Sequence, residues 1–442
     1  MIHQSIEITD FINKGYGLGQ LPDGRKIMVR HALPGERVTA KIKKEKKNFL
    51  IGELEEPELP SAGRIEPACK HYGTCGGCDL QHASYELQLQ LKRKVLIDLM
   101  KRQFRDRGTG VETMIQPTLP APHPLYYRQR IRLQVNEEKM IGYLQHNSHR
   151  LVAVSACPIA RPEINQVLGR LVESEDMDKL LATCRELELC WNPESGMVTL
   201  LLKKTRKPRP ADFAKSDMLR LSIPNLDRIF FSGDDFPLTP ASPKECAVDM
   251  AVEYPKLQIG GMPYRLEWEL NGFCQVNLEQ NQHLIEKVVD FADIQKEDTI
   301  LDLYCGMGNF SLFLAGQGKS LIGVEGQGSA IRSARKNSKK AELSNTTFIK
   351  SPIHKICEKL VAEQQCFDCL IIDPPRQGVP GLAAELSALC RKRMVYISCD
   401  PATLCRDLDG LCKNDFAIRQ IQPVDMFPQT HHIETLVLLE KN

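Results

Sequence analysis

Residues 299–310, TILDLYCGMGNF, join an apolar strand to a glycine-bearing turn and decide the fold of the C-terminal part of the chain. The same alternation of apolar strand and amphipathic helix recurs at SLIGVEG (320–326), CFDCLIIDPPR (366–376), RMVYISCDP (393–401), FAIRQIQPV (416–424) and HIETLVLLE (432–440). This pattern predicts a doubly wound, Rossmann-like α/β domain, which we place at residues 255–442. A ligand is expected at the carboxyl ends of its strands.

Three strand ends carry candidate ligand-binding groups. Gly306 and Gly308 permit a tight turn and close backbone approach, and Glu325 can accept both hydrogens of a ribose diol. Asp373, in IIDPPRQG, ends a further strand at the same edge. The turn at 302–310 carries no lysine or arginine to balance a pyrophosphate, so this set fits S-adenosylmethionine better than a phosphate-rich cofactor.

Two further residues are candidates for chemistry at this edge. Cys399 follows a buried strand and precedes a helix opened by Pro401, where the helix N-terminus favours a thiolate. The alternative is one more packing cysteine. Glu434, beside His431 and His432 at the start of the last strand, is either a general base or a solvated carboxylate.

The chain has sixteen cysteines, and the cellular compartment of the protein decides whether disulfides are expected among them. No apolar run approaches the ~20 residues of a membrane helix, and MIHQSIEITD lacks the features of a signal peptide. We therefore expect a cytoplasmic protein without a membrane partner, in which clustered cysteines are metal-ligand candidates rather than disulfides.

CKHYGTCGGC contains the main cysteine cluster, with C-x5-C-x2-C spacing: Cys69, Cys75 and Cys78. Cys157, in VSACPI, is the expected fourth ligand because a proline follows it. Four thiolates serve an iron–sulfur cluster or zinc, and the spacing alone does not choose. A second pair, Cys366 and Cys369, opens an apolar strand and is interpreted as packing.

The N-terminal residues 1–58 predict a small, OB-like β-barrel, because short strands alternate with Gly and Asp-Gly turns. The acidic stretch 52–63 is expected to be a linker. A lysine cluster at 41–47 is either a solvated strand face or a phosphate-binding edge. Since the formal net charge is only +2, affinity for a polyanion must come from such local patches.

The region 59–254 is expected to be an α+β domain with an antiparallel sheet. Its strands are predicted at 126–135, 140–145, 150–157 and 196–204. A basic amphipathic helix near 85–107 is expected before them, with packing on the catalytic domain as one possible position.

Together these motifs resemble the RNA uracil-C5 methyltransferases that carry an N-terminal TRAM domain and a 4Fe–4S cluster. The resemblance covers the whole chain and rests on the cysteine loop, FCQVN (273–277), DLYCGMGNF, VEG, DPPR, SCDPATLCRD and MFPQTHHIE. It is strongest for the members that methylate 23S ribosomal RNA, and TRAM-bearing tRNA enzymes are the alternative. The family implies an RNA-binding cytoplasmic monomer that needs no obligate protein partner.

The resemblance also implies residue roles. The cluster ligands would be Cys69, Cys75, Cys78 and Cys157; the S-adenosylmethionine contacts would be Gln275, Tyr304, Asn309, Glu325 and Asp373; the nucleophile would be Cys399 and the base Glu434. RNA phosphates would contact the basic helix, Arg128, Arg130, Arg132 and residues 203–209. Two positions depart from the family: Asp400 replaces a common Asn, and Ser351–Pro352 replaces a common Asn or Asp, which leaves the adenine contact unassigned.

In the implied reaction a thiolate adds to C6 of a flipped-out uracil, and C5 then takes the methyl group. A base removes the C5 proton, and the thiolate leaves. An amino-methyltransferase is a rival, because Asp-Pro-Pro motifs also bind exocyclic amines, but it has no use for a Cys399 thiolate. A non-catalytic iron–sulfur RNA-binding protein or redox sensor is the other alternative, against which the complete cofactor edge argues.

Overall fold

The computed structural model describes residues 3–105, 110–242, 251–253, 257–259, 262–270 and 272–442. Three sheets organise these residues: a closed five-stranded barrel and two seven-stranded sheets. Within the described ranges, no helix is both long enough and apolar enough to cross a membrane.

The N-terminal barrel confirms the expected small β-barrel. Its strands are β1 His3–Ile12, β2 Tyr16–Gln20, β3 Lys26–Arg30, β4 Arg37–Glu45 and β5 Phe49–Leu59, closed in the order β1-β2-β3-β5-β4. The expected linker at 52–63 is wrong over its first eight residues, because β5 continues to Leu59 and pairs with β4. The acidic side chains of β5 meet polar partners there: Glu53 bonds to Lys43 at 2.7 Å, and Glu58 accepts from Thr39 at 2.6 Å.

Helix α1, Tyr85–Gln103, follows the cysteine loop and packs on the C-terminal domain. Its N-cap is Ser84, whose hydroxyl accepts from the Leu87 N–H at 3.3 Å. The buried Lys92 ammonium lies 2.5 Å from the Asp425 carboxylate, an ion pair that spans most of the chain. Residues 106 and 107 of the expected helix lie outside the described residues.

The central sheet is mainly antiparallel, as expected, with one parallel pair, β10 and β11. Its strands are β6 Arg130–Val135, β7 Ile141–Leu144, β8 Leu151–Ala153, β9 Cys184–Trp191, β10 Val198–Lys204, β11 Leu226–Gly233 and β12 Phe236–Pro240, in the order β12-β11-β10-β9-β6-β7-β8. Its helices are α2 Pro162–Glu173, α3 Glu175–Leu181 and α4 Pro210–Ser222. Sequence patterns did not indicate β9, β11 or β12.

Four short strands lead from the central sheet to the C-terminal domain: β13 Ala251–Glu253, β14 Leu257–Ile259, β15 Met262–Tyr264 and β16 Glu267–Glu269. They form two antiparallel pairs, β13 with β16 and β14 with β15. The expected domain boundary at residues 254 and 255 lies outside the described residues.

The C-terminal domain has the doubly wound architecture that its sequence predicts. Its strands are β17 Thr299–Leu303, β18 Ser320–Glu325, β19 Thr346–Lys350, β20 Phe367–Ile372, β21 Cys390–Ser398, β22 Phe416–Val424 and β23 Glu434–Lys441, in the order β19-β18-β17-β20-β21-β23-β22. The first five are parallel, and β23 lies antiparallel between β21 and β22.

Helices cover both faces of this sheet. They are α5 Leu278–Ala292, α6 Ser311–Ala315, α7 Gly328–Lys340, α8 Ile353–Ala362, α9 Ala383–Leu389 and α10 Pro401–Cys412. Apolar residues of α5, α6 and α7 form the core on one face, and those of α1, α8, α9 and α10 form it on the other. Helix α1 therefore completes a layer of the C-terminal domain, although it precedes the central sheet in sequence.

We predict that Lys92→Met strongly destabilises this arrangement, because it leaves the buried Asp425 carboxylate without its cation. The expected cost is about 3–5 kcal/mol of unfolding free energy, measured by urea denaturation. Lys94→Met is the matched control on the same helix: its partners Asp10 and Asp98 are partly exposed, so its loss should cost at most about 1 kcal/mol. Equal stability of the two variants would contradict the prediction.

Candidate active site and cysteine pocket

A pocket of about 730 Å³ opens at the carboxyl ends of the parallel strands. All seven residues expected to bind the cofactor or to act in catalysis line it: Gln275, Tyr304, Asn309, Glu325, Asp373, Cys399 and Glu434. These residues come together because the strands β17, β18, β20 and β21 are parallel and end side by side at one edge of the sheet.

The turn after β17 has an unusual backbone. Tyr304, Gly306 and Gly308 have φ values of +63°, +55° and +89°, in the left-handed region that glycine tolerates best. A Cβ on Gly306 would meet nothing within 4 Å, so the chain there faces open space. Asn309 is fixed by reciprocal amide hydrogen bonds with Asn281 at 2.9 and 3.0 Å. The turn therefore presents backbone to the pocket while its last residue stays anchored.

The end of β18 provides the acidic group expected near a ribose. One Glu325 carboxylate oxygen accepts from the Gln327 N–H at 2.8 Å. The Glu325 carbonyl accepts from the Ser351 N–H at 3.1 Å, which draws the turn after β19 to the pocket. Ser351, Pro352 and Ile353 line the pocket there, so the position that departs from the family pattern still contributes to the wall.

Two carboxyl groups line the pocket, Glu434 buried and Asp373 partly buried. Burial raises the pKa of Asp373 to about 7, and the nearby Glu325 charge adds to this shift. Burial and the Asp373 charge raise the pKa of Glu434 well above its usual range. Like charges in a low-dielectric pocket disfavour ionisation, so a bound cation would stabilise this site.

Cys399 lies just after β21, and its surroundings oppose the expected preference for a thiolate. Burial raises the pKa of the Cys399 thiol to about 12, with contributions from Glu434 and Asp373, while Arg376 opposes the shift. Asp400 is the N-cap of α10 and accepts from the Ala402 and Thr403 N–H groups at 3.0 and 2.9 Å. An Asp and an Asn can both serve as this cap.

Four further pocket residues were given no role from the sequence, although they lie in quoted motifs: Phe273, Arg376, Phe427 and His432. Arg128, expected to contact RNA, also lines the pocket. Arg376 Nη2 lies 3.4 Å from His432 Nε2, which must accept because a guanidinium only donates. Burial and the neighbouring His431 lower the pKa of His432 to about 3, so His432 is neutral. Arg376 is close in sequence to Asp373 in DPPR, and His432 is close to Glu434 in HHIE. This proximity was the sequence signal that could have identified both residues.

The four candidate ligand cysteines line a second, small pocket of about 40 Å³: Cys69, Cys75, Cys78 and Cys157. Gly76 lets the cysteine loop approach β7, since a Cβ there would lie 2.9 Å from the Leu144 carbonyl oxygen. The Gly77 N–H donates to Cys75 Sγ at 3.4 Å. Over the described ranges, no three ligand-type side chains are grouped closely enough to hold a single metal ion.

Arg128 lies in the wall of both pockets. The residue is partly buried, and its Nε is buried with no hydrogen-bond partner among the described residues. Burial raises the pKa of Cys78 to about 12, and the Arg128 charge is among the effects that oppose the shift. This arginine therefore supplies positive charge beside the cysteines.

Some of the basic residues expected to contact RNA phosphates pair with carboxylates of the protein. Arg130 and Arg132 pair with Glu188 at 3.5 and 3.1 Å, and the buried Lys204 pairs with Asp212 at 3.0 Å. The expectation is wrong for Lys92 and Lys204, because both side chains are buried against a carboxylate. Exposed cations remain on the same elements and at the β4–β5 turn: Lys101, Arg102, Arg132, Lys207, Arg209, Lys44, Lys46 and Lys47.

Comparison with known proteins gives a consistent picture. Residues 84–442 match the family model described as tRNA (Uracil-5-)-methyltransferase, and residues 3–54 match the TRAM domain. The chain is 34% identical to the 23S rRNA (uracil(1939)-C(5))-methyltransferase RlmD of Pectobacterium atrosepticum, over 94% of this chain and 89% of the relative. It is 31% identical to the Vibrio campbellii protein of the same name, over 100% and 96%.

The fold is similar to that of a solved structure from Pyrococcus abyssi. That structure is a tRNA (uracil-54, C5)-methyltransferase in complex with S-adenosyl-L-homocysteine. The TM-score is 0.74 at 24% identity, covering 98% of this chain and 100% of the other. At this identity the likeness concerns the fold.

We predict that the Cys399 thiol of the ligand-free protein reacts slowly with iodoacetamide at neutral pH. Below its pKa, the rate should rise roughly tenfold per pH unit, because only the thiolate reacts. Glu434→Gln removes a negative neighbour and should speed alkylation at alkaline pH. Asp400→Asn, the same carboxylate-to-amide change at a capping side chain, should have less effect. Quantitative mass spectrometry of the Cys399 peptide checks this, and equal rates for Glu434→Gln and wild type would contradict it.

Proposed function

The chain belongs to the tRNA (uracil-5-)-methyltransferase family, and we propose that it transfers a methyl group from S-adenosylmethionine to C5 of a uridine in 23S ribosomal RNA. The observation that carries this proposal is the single 730 Å³ pocket that brings together Cys399, Glu434 and the cofactor-edge residues. The thiol and carboxyl groups are those that C5 methylation of uracil requires.

S-adenosylmethionine supplies an electrophilic methyl group on a positively charged sulfur. The left-handed turn at 304–308 would receive it against open backbone, and Glu325 would accept hydrogen bonds from its ribose hydroxyls. Asp373 and Glu434 would stabilise the sulfonium charge, because the raised pKa of each shows that its anion is disfavoured without a nearby cation. Gln275 and Asn309 complete the expected contacts from the other side of the pocket.

Cys399 would add to C6 of the uracil as a thiolate, making C5 nucleophilic for the methyl group. The same positive charge that favours Asp373 and Glu434 as anions also favours this thiolate. Glu434 would then take the proton from C5, before Cys399 leaves. Burial raises the pKa of Glu434, which makes its carboxylate a stronger base for this transfer.

The choice of 23S RNA as substrate rests on the relatives. Two curated relatives that match nearly the whole chain are named as 23S rRNA methyltransferases, while the family model carries the name of the tRNA enzymes. A tRNA uridine is the alternative substrate. In either case the candidates for phosphate contacts are the exposed cations at the β4–β5 turn of the barrel, at the end of α1 and at 207–209.

We propose that Cys69, Cys75, Cys78 and Cys157, which line one pocket, hold a 4Fe–4S cluster. Four thiolates also suit a zinc ion, which is the alternative metal. Arg128 would partly balance the negative charge of the cluster. No step of uracil methylation moves an electron, so the proposed cluster is structural.

We further propose three functional units. They are a TRAM barrel at 1–58, a central iron–sulfur and RNA-binding domain at 59–254, and a catalytic domain at 255–442. The monomer is proposed as the active species, as the family resemblance implies.

We predict that a strain lacking the protein loses 5-methyluridine at one position of 23S RNA. Wild-type protein should restore it and Cys399→Ala should not, because this variant binds S-adenosylmethionine but lacks the nucleophile. Cys412→Ala, on the helix that follows Cys399, is the control expected to restore methylation. Mass spectrometry of ribosomal and transfer RNA measures the modification. Loss from tRNA alone would favour the alternative substrate, and restoration by Cys399→Ala would exclude the covalent mechanism.

We predict that anaerobically purified protein contains about four irons per chain and no stoichiometric zinc. Cys75→Ser should lose iron and yield together, and should weaken RNA binding before S-adenosylmethionine binding. Cys366→Ser and Cys369→Ser are the controls and should keep their iron, since Cys369 is packed in the core. Elemental analysis decides: zinc in place of iron, or iron lost from the controls, would refute the cluster assignment.

A further inference from the structure

Beside the active-site pocket, the barrel and the cysteine loop meet the segment 425–434, which ends at Glu434. The contact is close at Gly15, whose φ is +78°. A Cβ on Gly15 would lie 3.2 Å from the Cβ of His431 and 3.3 Å from the Cβ of Asp79. The junction thus joins one barrel turn, the residue after Cys78 and the segment that leads to the proposed base.

Asp79 binds this segment through both backbone and side chain. The Asp79 and Leu80 N–H groups donate to the Gln429 carbonyl at 2.9 and 3.0 Å. The Asp79 carboxylate is 2.6 Å from His431 Nδ1, which donates because a carboxylate accepts. Arg30 of the barrel lies 3.8 Å from the other carboxylate oxygen. Asp79 is buried, so these partners are not exchanged for water.

The contacts continue from His431 to the active site. The ring centroids of His431 and His432 are 4.3 Å apart. His432 lines the pocket that contains Cys399, accepts from Arg376 at 3.4 Å and packs edge-on against Phe427 at 5.9 Å. The orientation of His431 therefore limits where the His432 ring can lie.

The backbone of the segment has other anchors. Gln88 and Gln429 exchange two hydrogen bonds of 3.0 Å each, and Lys92 Nζ donates to the Phe427 carbonyl at 3.1 Å. Tyr127 donates to the Pro428 carbonyl at 3.1 Å. These contacts hold residues 427–429 without the Asp79 side chain. What the Asp79 carboxylate adds is the orientation of His431.

We propose that Asp79 is a positioning residue for methyl transfer, acting through His431 to hold His432 against Arg376 in the pocket wall facing Cys399. This inference rests on the proposed function and deepens it. When Asp79 is lost, His431 can rotate, His432 and Arg376 lose their fixed geometry, and the uracil ring meets Cys399 in a poorer orientation. The cysteine loop thereby takes part in the geometry of the chemical step without transferring electrons.

The test uses single-turnover formation of the covalent adduct. The probe is the 23S RNA fragment that the wild-type protein methylates, with 5-fluorouridine at its target, plus saturating S-adenosylmethionine. Asp79→Ala, His431→Ala and His432→Ala should each slow adduct formation by roughly tenfold to a hundredfold. Their iron content and S-adenosylmethionine affinity should equal those of the wild type. Asp79→Asn keeps an acceptor oxygen and should recover most of the rate.

Two comparisons separate positioning from folding. Asp79→Ala combined with His432→Ala should be no slower than the slower single variant, because both act on one contact chain. Arg64→Gln breaks another ion pair with the barrel, 2.5 Å from the buried Glu36, without touching 425–434. This control should lower thermal stability and leave adduct formation unchanged.

Several results would overturn the proposal: an unchanged adduct rate in Asp79→Ala, additive losses in the double variant, or lost iron or S-adenosylmethionine affinity in Asp79→Ala. A similar slowing in Arg64→Gln would also overturn it, since the effect would then follow stability. If the wild-type protein forms no adduct, the covalent mechanism fails and this inference fails with it. A normal wild-type adduct with an unaffected Asp79→Ala sinks the positioning role alone.

Discussion

Parallel strands that end at one edge are the constraint on which the site depends. β17, β18, β20 and β21 each finish at this edge, so the residue after each strand reaches the same pocket although the residues are far apart in sequence. The turns must reverse sharply to let helices cover both faces, and the left-handed φ values of Tyr304, Gly306 and Gly308 meet that requirement. The sheet topology thus brings the pocket residues together, and the local backbone geometry leaves space for a ligand.

The same convergence creates an electrostatic problem. Asp302 and Glu434 are buried near the partly buried Asp373, and desolvation raises the pKa of each. Asp302 is relieved by a hydrogen bond from Ser311 and belongs to the fold rather than the reaction. Asp373 and Glu434 face the pocket. Beside such a pair, a positively charged ligand binds more favourably than a neutral one. The electrostatics of the pocket therefore favour a cationic methyl donor, in addition to any selection by shape.

Local patterns allowed most of the C-terminal fold and its pocket residues to be predicted, because each motif is a strand end whose position follows from the sheet. Ion pairs between residues that are distant in sequence could not be predicted from local patterns. The partner of Lys92 is Asp425, and the carboxylate beside Arg130 and Arg132 is that of Glu188. These residues therefore looked like an RNA-binding surface. Strand β5 was missed for a related reason: its acidic residues suggest a linker until Lys43 and Thr39 of β4 are opposite them.

Helix α1 links these observations, since the segment that it anchors also touches the cysteine loop. Lys92 and Gln88 hold residues 425–429 from one side, while Asp79 and Leu80 hold Gln429 from the other. Arg128 joins the two pockets from the central domain. A disturbance of the cysteine loop must then reach the active site through short, buried contacts rather than through solvent. This geometry explains how a metal cluster with no redox step to perform would still affect catalysis: it would fix the loop from which one wall of the substrate pocket is held.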